Sequence, residues 1–340
     1  MPARPHGTWR LTRRARALSM ATLNPAADAG ARAARRKWTP EKREALFGFF
    51  FISPWIIGFL VFTLGPMITS LVFGFYRTDL LQVWEVVGFK WFQAVFTDVL
   101  VRKAMFNTAY YAFIMVPLST TLALLIAVLL NQNIKGQSFW RTVYYLPSVV
   151  AGAAVAILFK WLYQPDIGLL NSILNPILFR ISDFLSLETP LVAPRWVFSQ
   201  DWAMPSVIIM ALWGAGGAML IFLAGLRGIP TALYEAAKID GAGPIRQFFS
   251  ITIPLLTPTI LFNVVLNIIA SWQVFTQVLI MTQGGPNNAT LTMVLHLYNT
   301  GFSQFRFGYA SAQAWALFLA ILVFVLFAIR SSSSWVQYER

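Results

Sequence analysis

The sequence has no cysteine, only two histidines and few charged residues. A chain of 340 residues without cysteine has no disulfide, no thiolate metal ligand and no cysteine nucleophile. The two histidines, His6 and His296, are too few for a zinc site or a histidine-based catalytic centre. Soluble domains carry about 25% charged residues. In this chain 11% of the residues are charged and 57% are hydrophobic, so we expect an integral membrane protein. We expect no catalytic residue, metal site or cofactor of its own.

Acidic residues are missing from every long apolar run. Six runs reach the roughly 20 residues that cross a bilayer, and all 13 Asp and Glu lie outside them. Lys160 is the only charge inside a run, near one end, where its amine can extend to water or contact a substrate. The predicted fold class is an all-α integral membrane protein with six transmembrane helices, some of them kinked by proline. The six runs are 47–76, 104–130, 142–163, 204–226, 251–282 and 309–329.

These absences limit how the chain could drive transport. Carriers coupled to protons or sodium usually hold ionisable groups within the membrane, and these runs hold no acid. The phosphate-binding pattern G-x-x-x-x-G-K-[ST] is absent too, so uphill transport would need energy from a partner at the cytosolic face. An ion-coupled secondary carrier and a membrane-embedded enzyme stay open as alternatives. The only candidate acid pair for such an enzyme is Glu235 with Asp240.

Positive charge is concentrated at the N-terminus. Residues 1–46 hold eleven of the 26 Lys and Arg, which fits a nucleic-acid-binding arm or, more simply, a disordered cytosolic tail that obeys the positive-inside rule. The other Lys and Arg agree with a cytosolic C-terminus, so we expect a multi-pass protein of the cell membrane without a nucleic-acid partner. The tail does not have the pattern of a cleavable signal peptide. Translation starts either at Met1 or at Met20.

The predicted organisation therefore has three parts. They are the basic tail (1–46), a six-helix membrane domain (47–330) and a C-terminal tail (331–340). The longest outer loop, 164–203, contains the apolar stretch NSILNPILFRISDFL. We expect that stretch to form a short helix, either at the membrane surface or against the bundle.

The inner loop 227–250 carries an unusual polar patch. Its sequence TALYEAAKI predicts a short helix that Thr231 can cap. Gly241 and Gly243 can adopt positive φ, and Pro244 cannot continue a helix. A second helix then leads into the fifth run. This helix–break–helix shape suits a rigid knob that fits into a partner's groove, or it is an ordinary solvated helix end.

Nine residues within 234–254 follow a fixed spacing, E-A-A-x-x-D-G-A and then Phe, Ile and Pro. The pattern resembles the signature loop of the importer permeases of ABC transporters. Three other stretches, SPWIIGFLVFTLGPMITSLVFGFY, GQSFWRTVYYLPSVVAGAAVAILFKWLYQPDIGLLN and MTQGGPNNATLTMVLHLYNTGFSQFRFGYASA, are similar to sugar-type permeases of the maltose and glycerol-3-phosphate branch, over about residues 47–330. The matching signature residues are Glu235, Ala236, Ala237, Asp240, Gly241, Ala242, Phe248, Ile251 and Pro254.

The resemblance implies a set of partners. The loop helix would dock on a separate ATP-binding subunit, with Glu235 meeting a basic group, and two such subunits would use ATP and Mg²⁺. A second, different permease would complete the translocation path. An extracytoplasmic binding protein would deliver a sugar, an oligosaccharide or glycerol phosphate. Gly241 would form the break in the loop, so Gly241→Asp should uncouple ATP hydrolysis from uptake.

The fifth run also offers the polar and aromatic side chains that sugars bind. Asn263, Asn267 and Ser271 are spaced four residues apart and share one helical face. Such groups need polar partners in hydrocarbon, which a substrate cavity or another helix could equally supply. The candidates for the substrate path are Asn263, Asn267, Ser271, Trp272 and Gln273, with Phe275 and Gln277 beside them.

Overall fold

A computed structural model describes residues 40–79, 84–132 and 134–337. The predicted disorder of the tail up to residue 39, and the choice between Met1 and Met20, concern residues outside the described part. The chain forms two compact units, residues 1–67 and 68–340.

The described part of the first unit is helical. Helix α1 (Pro40–Phe59) runs through a π-helical turn (Leu60–Leu64) into α2 (Gly65–Phe73). Because α1 begins at Pro40, residues 40–46, which the sequence analysis assigns to the tail, are part of the helix.

A proline accounts for the π turn after α1. Pro66 has no N–H to donate to the carbonyl four residues back, so the regular α-helical hydrogen bond cannot form there. The N–H of Gly65 bonds instead to the Leu60 carbonyl, five residues back, which is the π-helical spacing.

The second unit is almost entirely helical. Within the described residues one short antiparallel strand pair occurs, in which β1 (Tyr76–Arg77) pairs with β2 (Glu85–Val86). In chain order the helices of this unit are α3 (Lys90–Thr97), α4 (Val99–Leu130), α5 (Gln137–Val149), α6 (Gly152–Leu162), α7 (Leu169–Phe184), α8 (Gln200–Leu212), α9 (Gly216–Gly228), α10 (Thr231–Ile239), α11 (Pro244–Gln247), α12 (Ile253–Trp272), α13 (Thr276–Met281), α14 (Met293–Tyr298) and α15 (Phe307–Ser332).

The candidate membrane spans agree with the predicted fold class. Among the described residues four helical segments are long and apolar enough to span a membrane: Glu44–Phe73, Val99–Leu130, Pro244–Met281 and Phe307–Ser332. The third and fourth predicted runs are pairs of helices instead of single ones. Helices α5 and α6 meet at 95°, and α8 and α9 meet at 46°. The described chain therefore has four spans, or six if each bent pair is one span, and the all-α membrane prediction is confirmed.

The long fifth run is interrupted at both ends. Near its start a π turn (Phe248–Thr252) precedes Pro254, which repeats the arrangement at Pro66. Near its end the helix stops at Trp272 and resumes at Thr276. We name the residues between, Gln273–Phe275, the span break.

Two buried clusters hold the second unit together. The larger joins side chains from α4, α6, α8, α13, α14 and α15 around the span break, and it includes the fully buried Tyr163, Val278 and Met293. The smaller joins α4, α9 and α12 around Met219 and Phe222. The two clusters lie at successive levels along α4 and α12, so these two helices form the axis on which the candidate sites are built.

Candidate functional site

The first candidate is the signature loop, residues 231–254. Helix α10 ends at Ile239, and its last carbonyls are satisfied by the chain itself. The N–H of Ala242 bonds to the Ala237 carbonyl at 2.8 Å, and the N–H of Gly241 bonds to the Lys238 carbonyl at 3.0 Å. This pair of bonds is the Schellman helix ending, which requires a left-handed residue directly after the cap. Gly241 supplies it with φ +76°.

This geometry explains much of the nine-residue pattern. Ala237 and Ala242 lie at the two ends of one closing bond, and Gly241 occupies the position that disfavours a side chain. Gly243 does not adopt the positive φ that the sequence suggests. It has φ −69° and ψ 168°, an extended conformation that leads into Pro244 at the first turn of α11.

The predicted cap at Thr231 is wrong. The helix begins at Thr231 itself, with Pro230 in the capping position and no side-chain cap. Pro230 has φ −60° and ψ 128°, so the chain is still extended there and turns helical one residue earlier than a Thr231 cap requires.

Two side-chain hydrogen bonds fasten the signature loop to the fifth span. The hydroxyls of Tyr234 and Thr252 lie 2.9 Å apart, which joins α10 to the π turn. The Gln247 amide donates to the Ala242 carbonyl at 2.7 Å. In contrast, Glu235 is exposed, and so are the apolar side chains of Ile239 (88%) and Ile245 (75%). The loop is thus hydrogen-bonded on its inner side and exposed on its outer side.

The second candidate is a polar pocket at the span break, with a volume of about 300 Å³. It lies between α4, α8 and the broken fifth span. Amide, hydroxyl and aromatic groups line it, and none of its lining side chains among the described residues is charged. The lining residues are Tyr111, Met115, Ala211, Asn267, Ala270, Ser271, Gln273, Val274, Phe275, Thr276 and Gln277.

Three of the predicted substrate-path residues line this pocket, namely Asn267, Ser271 and Gln273. The Asn267 amide also donates to the Thr120 hydroxyl on α4 at 3.0 Å, so it joins two helices as well. Both uses considered for this residue, helix association and a cavity position, are therefore present together.

The other two predicted residues lie elsewhere. Asn263 is 2% exposed and donates to the Thr259 carbonyl of its own helix. Trp272 stacks on Phe324 with ring centroids 4.9 Å apart, and it lines an apolar groove instead of the pocket. A helix turns about 100° per residue, so Trp272 leaves the face that Ser271 occupies.

Sequence reasoning missed Tyr111 as a pocket residue. It comes from α4, far from the fifth span in sequence, and a tyrosine in an apolar run carries no signal of its partner. Phe275 and Gln277, noted beside the candidates, do line the pocket.

The broken fifth span is held by side chains from other segments. At the break itself the Thr292 hydroxyl donates to the Val274 carbonyl at 3.1 Å. A broken helix leaves main-chain carbonyls without helical partners, so this bond lowers the cost of the break. Beyond the break, the Lys160 amine donates to the Ile280 carbonyl at 3.1 Å. Lys160, considered in the sequence as a residue reaching water or substrate, binds the main chain at the end of α13.

A turn beyond α13, which we name the threonine hairpin (residues 282–292), closes this end of the fifth span. The hydroxyls of Thr282 and Thr290 lie 2.7 Å apart. The Asn107 amide on α4 donates to the carbonyls of Asn288 at 2.9 Å and Leu291 at 3.0 Å. The sequence GGP at 284–286 forms a turn, with Gly284 at φ +88°.

Two titratable groups lie near this hairpin. Burial acts to raise the pKa of Asp98, but hydrogen bonds from the Tyr309 hydroxyl and from main-chain N–H groups, together with the charge of His296, outweigh it and leave that pKa below its usual range. Burial lowers the pKa of His296 despite the nearby carboxylate. Among the described residues, no group of three His, Asp or Glu could hold a metal.

Comparison with known proteins identifies the class. The family model described as "Binding-protein-dependent transport system inner membrane component" matches residues 119–334. The chain belongs to this family of membrane transport components.

Individual relatives agree over most of the chain. The "Probable ABC transporter permease protein YesP" of Bacillus subtilis is 38% identical over 310 residues, 90% of this chain and 96% of that protein. The "Diacetylchitobiose uptake system permease protein NgcF" of Streptomyces coelicolor is 33% identical over 309 residues, 87% of this chain and 84% of that protein.

A solved structure has the same fold. It is the crystal structure of a bacterial ABC transporter involved in the import of alginate, with a TM-score of 0.71 and 24% identity, covering 87% of this chain and 98% of the matched one.

Proposed function

We propose that this chain is the permease subunit of an ATP-binding-cassette importer for carbohydrate. The observation that carries the proposal is the polar pocket at the span break, since it gathers amides, hydroxyls and aromatic rings in the middle of an apolar helix. Such a mixture binds sugars, and its volume of about 300 Å³ lies at the small end of the range for ligand pockets. The pocket is thus the proposed substrate path, contacted by Asn267, Ser271 and Gln273.

The neutral lining bears on the substrate class. A phosphate or carboxylate in a membrane cavity needs a positive partner, and none of the side chains that line the pocket carries one. A neutral sugar or oligosaccharide therefore fits this site better than glycerol phosphate does. The name of the Streptomyces relative, a diacetylchitobiose uptake permease, supports the carbohydrate class.

The signature loop is the proposed contact with the energy source. Its exposed Glu235, Ile239 and Ile245 surround a braced helix and suit the groove of a separate ATP-binding subunit, which would use ATP and Mg²⁺. Two such subunits, a second permease and an extracytoplasmic binding protein would complete the importer. Both termini are then cytosolic, in agreement with the basic tail.

The test is uptake by the complete transporter in proteoliposomes. Gln273→Leu removes a pocket amide while keeping most of the volume. It should raise the KM for sugar uptake by about tenfold, which corresponds to about 1.4 kcal/mol of lost binding. Trp272→Phe is the control, because this neighbouring side chain faces the apolar groove, and its KM should stay close to that of the parent.

Two results would contradict the proposal. Equal KM values for Gln273→Leu and the parent would remove the pocket from the substrate path. Uptake that follows a proton or sodium gradient without any ATP-binding subunit would instead support the ion-coupled carrier.

A further inference from the structure

Helix α7 is an amphipathic helix turned inside out. In a soluble protein the apolar side of a surface helix faces the core and the polar side faces water. Here Asn171, Asn175 and Ser182 point inward together with Leu170 and Leu174, whereas a second set of large apolar side chains points outward.

The inward polar side chains are bound to the connecting segment that follows the helix. Asn171 accepts a hydrogen bond from the Trp196 indole at 2.6 Å and donates to the carbonyls of Pro165 and Pro194. Asn175 accepts from the N–H of Ala193 at 2.8 Å, and Ser182 accepts from the N–H of Leu191 at 2.7 Å.

These bonds fix the rotation of α7 about its own axis. A rotation that hid the apolar side would break hydrogen bonds to buried groups, at a cost that grows with each bond. The outward direction of the apolar side chains is therefore built into the fold.

The outward face carries an apolar stripe. Leu169, Ile173, Ile177 and Phe184 follow one another at spacings of four, four and seven residues, which places them on one side of a helix. Ile173 is 53% exposed, Ile177 is 49% exposed and Phe184 is 87% exposed. Four such side chains in a row would be a costly surface in contact with water.

One charged residue interrupts the stripe. With about 100° between successive residues, Arg180 lies within the stripe, in the turn between Ile177 and Phe184, and Ser172 and Asp183 lie on one flank. All three are exposed. The long arginine stem can run along the apolar surface and carry its charge to the lipid headgroups, so an arginine in such a stripe, beside a polar flank, is compatible with a helix that lies in a membrane surface.

Both ends of α7 are tied to the membrane boundary. The helix begins shortly after the end of α6 and is followed by the start of α8, and these are halves of the two bent span pairs. Trp161 in α6 and Trp202 in α8 are exposed, and tryptophan favours the region of the lipid headgroups. The chain on either side of α7 therefore carries residues suited to the headgroup region.

We propose that α7 lies in the membrane surface where α6 ends and α8 begins, with its apolar stripe among the acyl chains and Arg180 at the level of the lipid phosphates. The occupant of the stripe is lipid. The helix then anchors the segment 185–198, which is hydrogen-bonded to its inner side, at a fixed depth relative to the bilayer. This assignment needs only a membrane permease and does not depend on the substrate or the energy source.

The absence of cysteine makes the test direct, because any introduced cysteine is the only one in the chain. Single variants Ile173→Cys and Ile177→Cys are spin-labelled in the complete transporter in phospholipid nanodiscs. Ser172→Cys, next to Ile173 but on the polar flank, is the matched control. Collision rates are measured with oxygen, which concentrates in lipid, and with a water-soluble nickel chelate.

For labels at residues 173 and 177, oxygen should relax the spin several-fold more than nickel does, and the order should reverse at residue 172. Stronger relaxation by nickel at all three positions would place α7 in water and overturn the proposal. Protection from both reagents at 173 and 177 would show a protein partner on the stripe and overturn it as well. Phe184→Cys gives a further position on the same stripe if either isoleucine variant fails to assemble.

Discussion

The two ends of the fifth span are closed in opposite ways. At the threonine hairpin, polar groups are buried and satisfied by the chain itself: Asn107 binds two carbonyls, and Thr282 binds Thr290. At the signature loop, the inner side is braced by the contact of Tyr234 with Thr252, while the outer side exposes apolar residues and an acid.

The difference shows which end is complete without a partner. A buried polar group without a hydrogen bond costs about 1–3 kcal/mol, so the self-satisfied hairpin is stable as it stands. Exposed isoleucines such as Ile239 and Ile245 gain by being covered, and contact surfaces of proteins are centred on groups of this kind. The hairpin is closed by its own hydrogen bonds, and the signature loop is the proposed docking surface.

The largest effect is expected at Gly241. Valine is strongly disfavoured at its φ of +76°, by about 2 kcal/mol or more, so Gly241→Val should open the Schellman ending and misplace α10. ATP-driven uptake should fall more than tenfold while the permease still assembles. Uptake and substrate-stimulated ATP hydrolysis by the reconstituted transporter are the measurements. Valine is a stricter choice than aspartate, which tolerates left-handed backbone better.

Gly243→Val is the matched control for this experiment. A Cβ at either glycine meets nothing within 4 Å, but Gly243 is extended, with φ −69°. The Gly243→Val transporter should therefore keep most of the uptake activity of the parent. Equal loss in both variants would mean that any side chain in the turn blocks docking, and positive φ would not be the cause.

A smaller effect is expected from Asn107→Ala at the opposite end. The change leaves the buried carbonyl of Leu291 without its amide donor, at a cost of about 1–3 kcal/mol, and removes one of the donors to the Asn288 carbonyl. The melting temperature of the purified protein should drop by several degrees. Gln200→Ala is the control, because its contact with Asn287 is exposed and 3.5 Å long. If both variants have the same melting temperature as the parent, the Asn107 side chain does not stabilise the threonine hairpin.

The smallest effect is expected from Tyr234→Phe, which removes one hydroxyl from the brace. A partly buried hydrogen bond contributes about 0.5–1.5 kcal/mol, so the ratio of sugar imported to ATP hydrolysed should fall a few-fold, with melting nearly unchanged. The double variant with Thr252→Val should be no worse than either single change, because both remove the same contact. Strictly additive losses would indicate that the two hydroxyls act separately.

Much of the fold could be predicted from the sequence, because runs of about 20 apolar residues identify membrane spans directly. The bends at α5–α6 and α8–α9 could not be predicted. Proline and glycine mark places where a membrane helix can bend, but packing decides the angle. The positive φ at Gly241 was accessible from the sequence, whereas the extended Gly243 was not, since glycine permits both conformations.

The candidate pocket shows the same division. The spacing of Asn263, Asn267 and Ser271 predicted a shared helical face, and Asn267 and Ser271 line the pocket, whereas Asn263 does not. Trp272, which was also predicted to lie on the substrate path, follows Ser271 directly and therefore points to another face of the helix, toward the apolar groove. Tyr111 joins the pocket through the pairing of α4 with α12, which is a tertiary contact that no local pattern encodes.

The Schellman ending at Gly241 has a consequence for how such importers diversify. Main-chain atoms close that turn, so the outward side chains of α10, such as Leu233, Glu235 and Ile239, can be exchanged without reshaping it. The segment from Thr231 to Gly243 then keeps one main-chain shape while its exposed side chains vary. In the proposed docking role, a few surface substitutions would change which ATP-binding subunit a permease accepts and leave its substrate path unaltered.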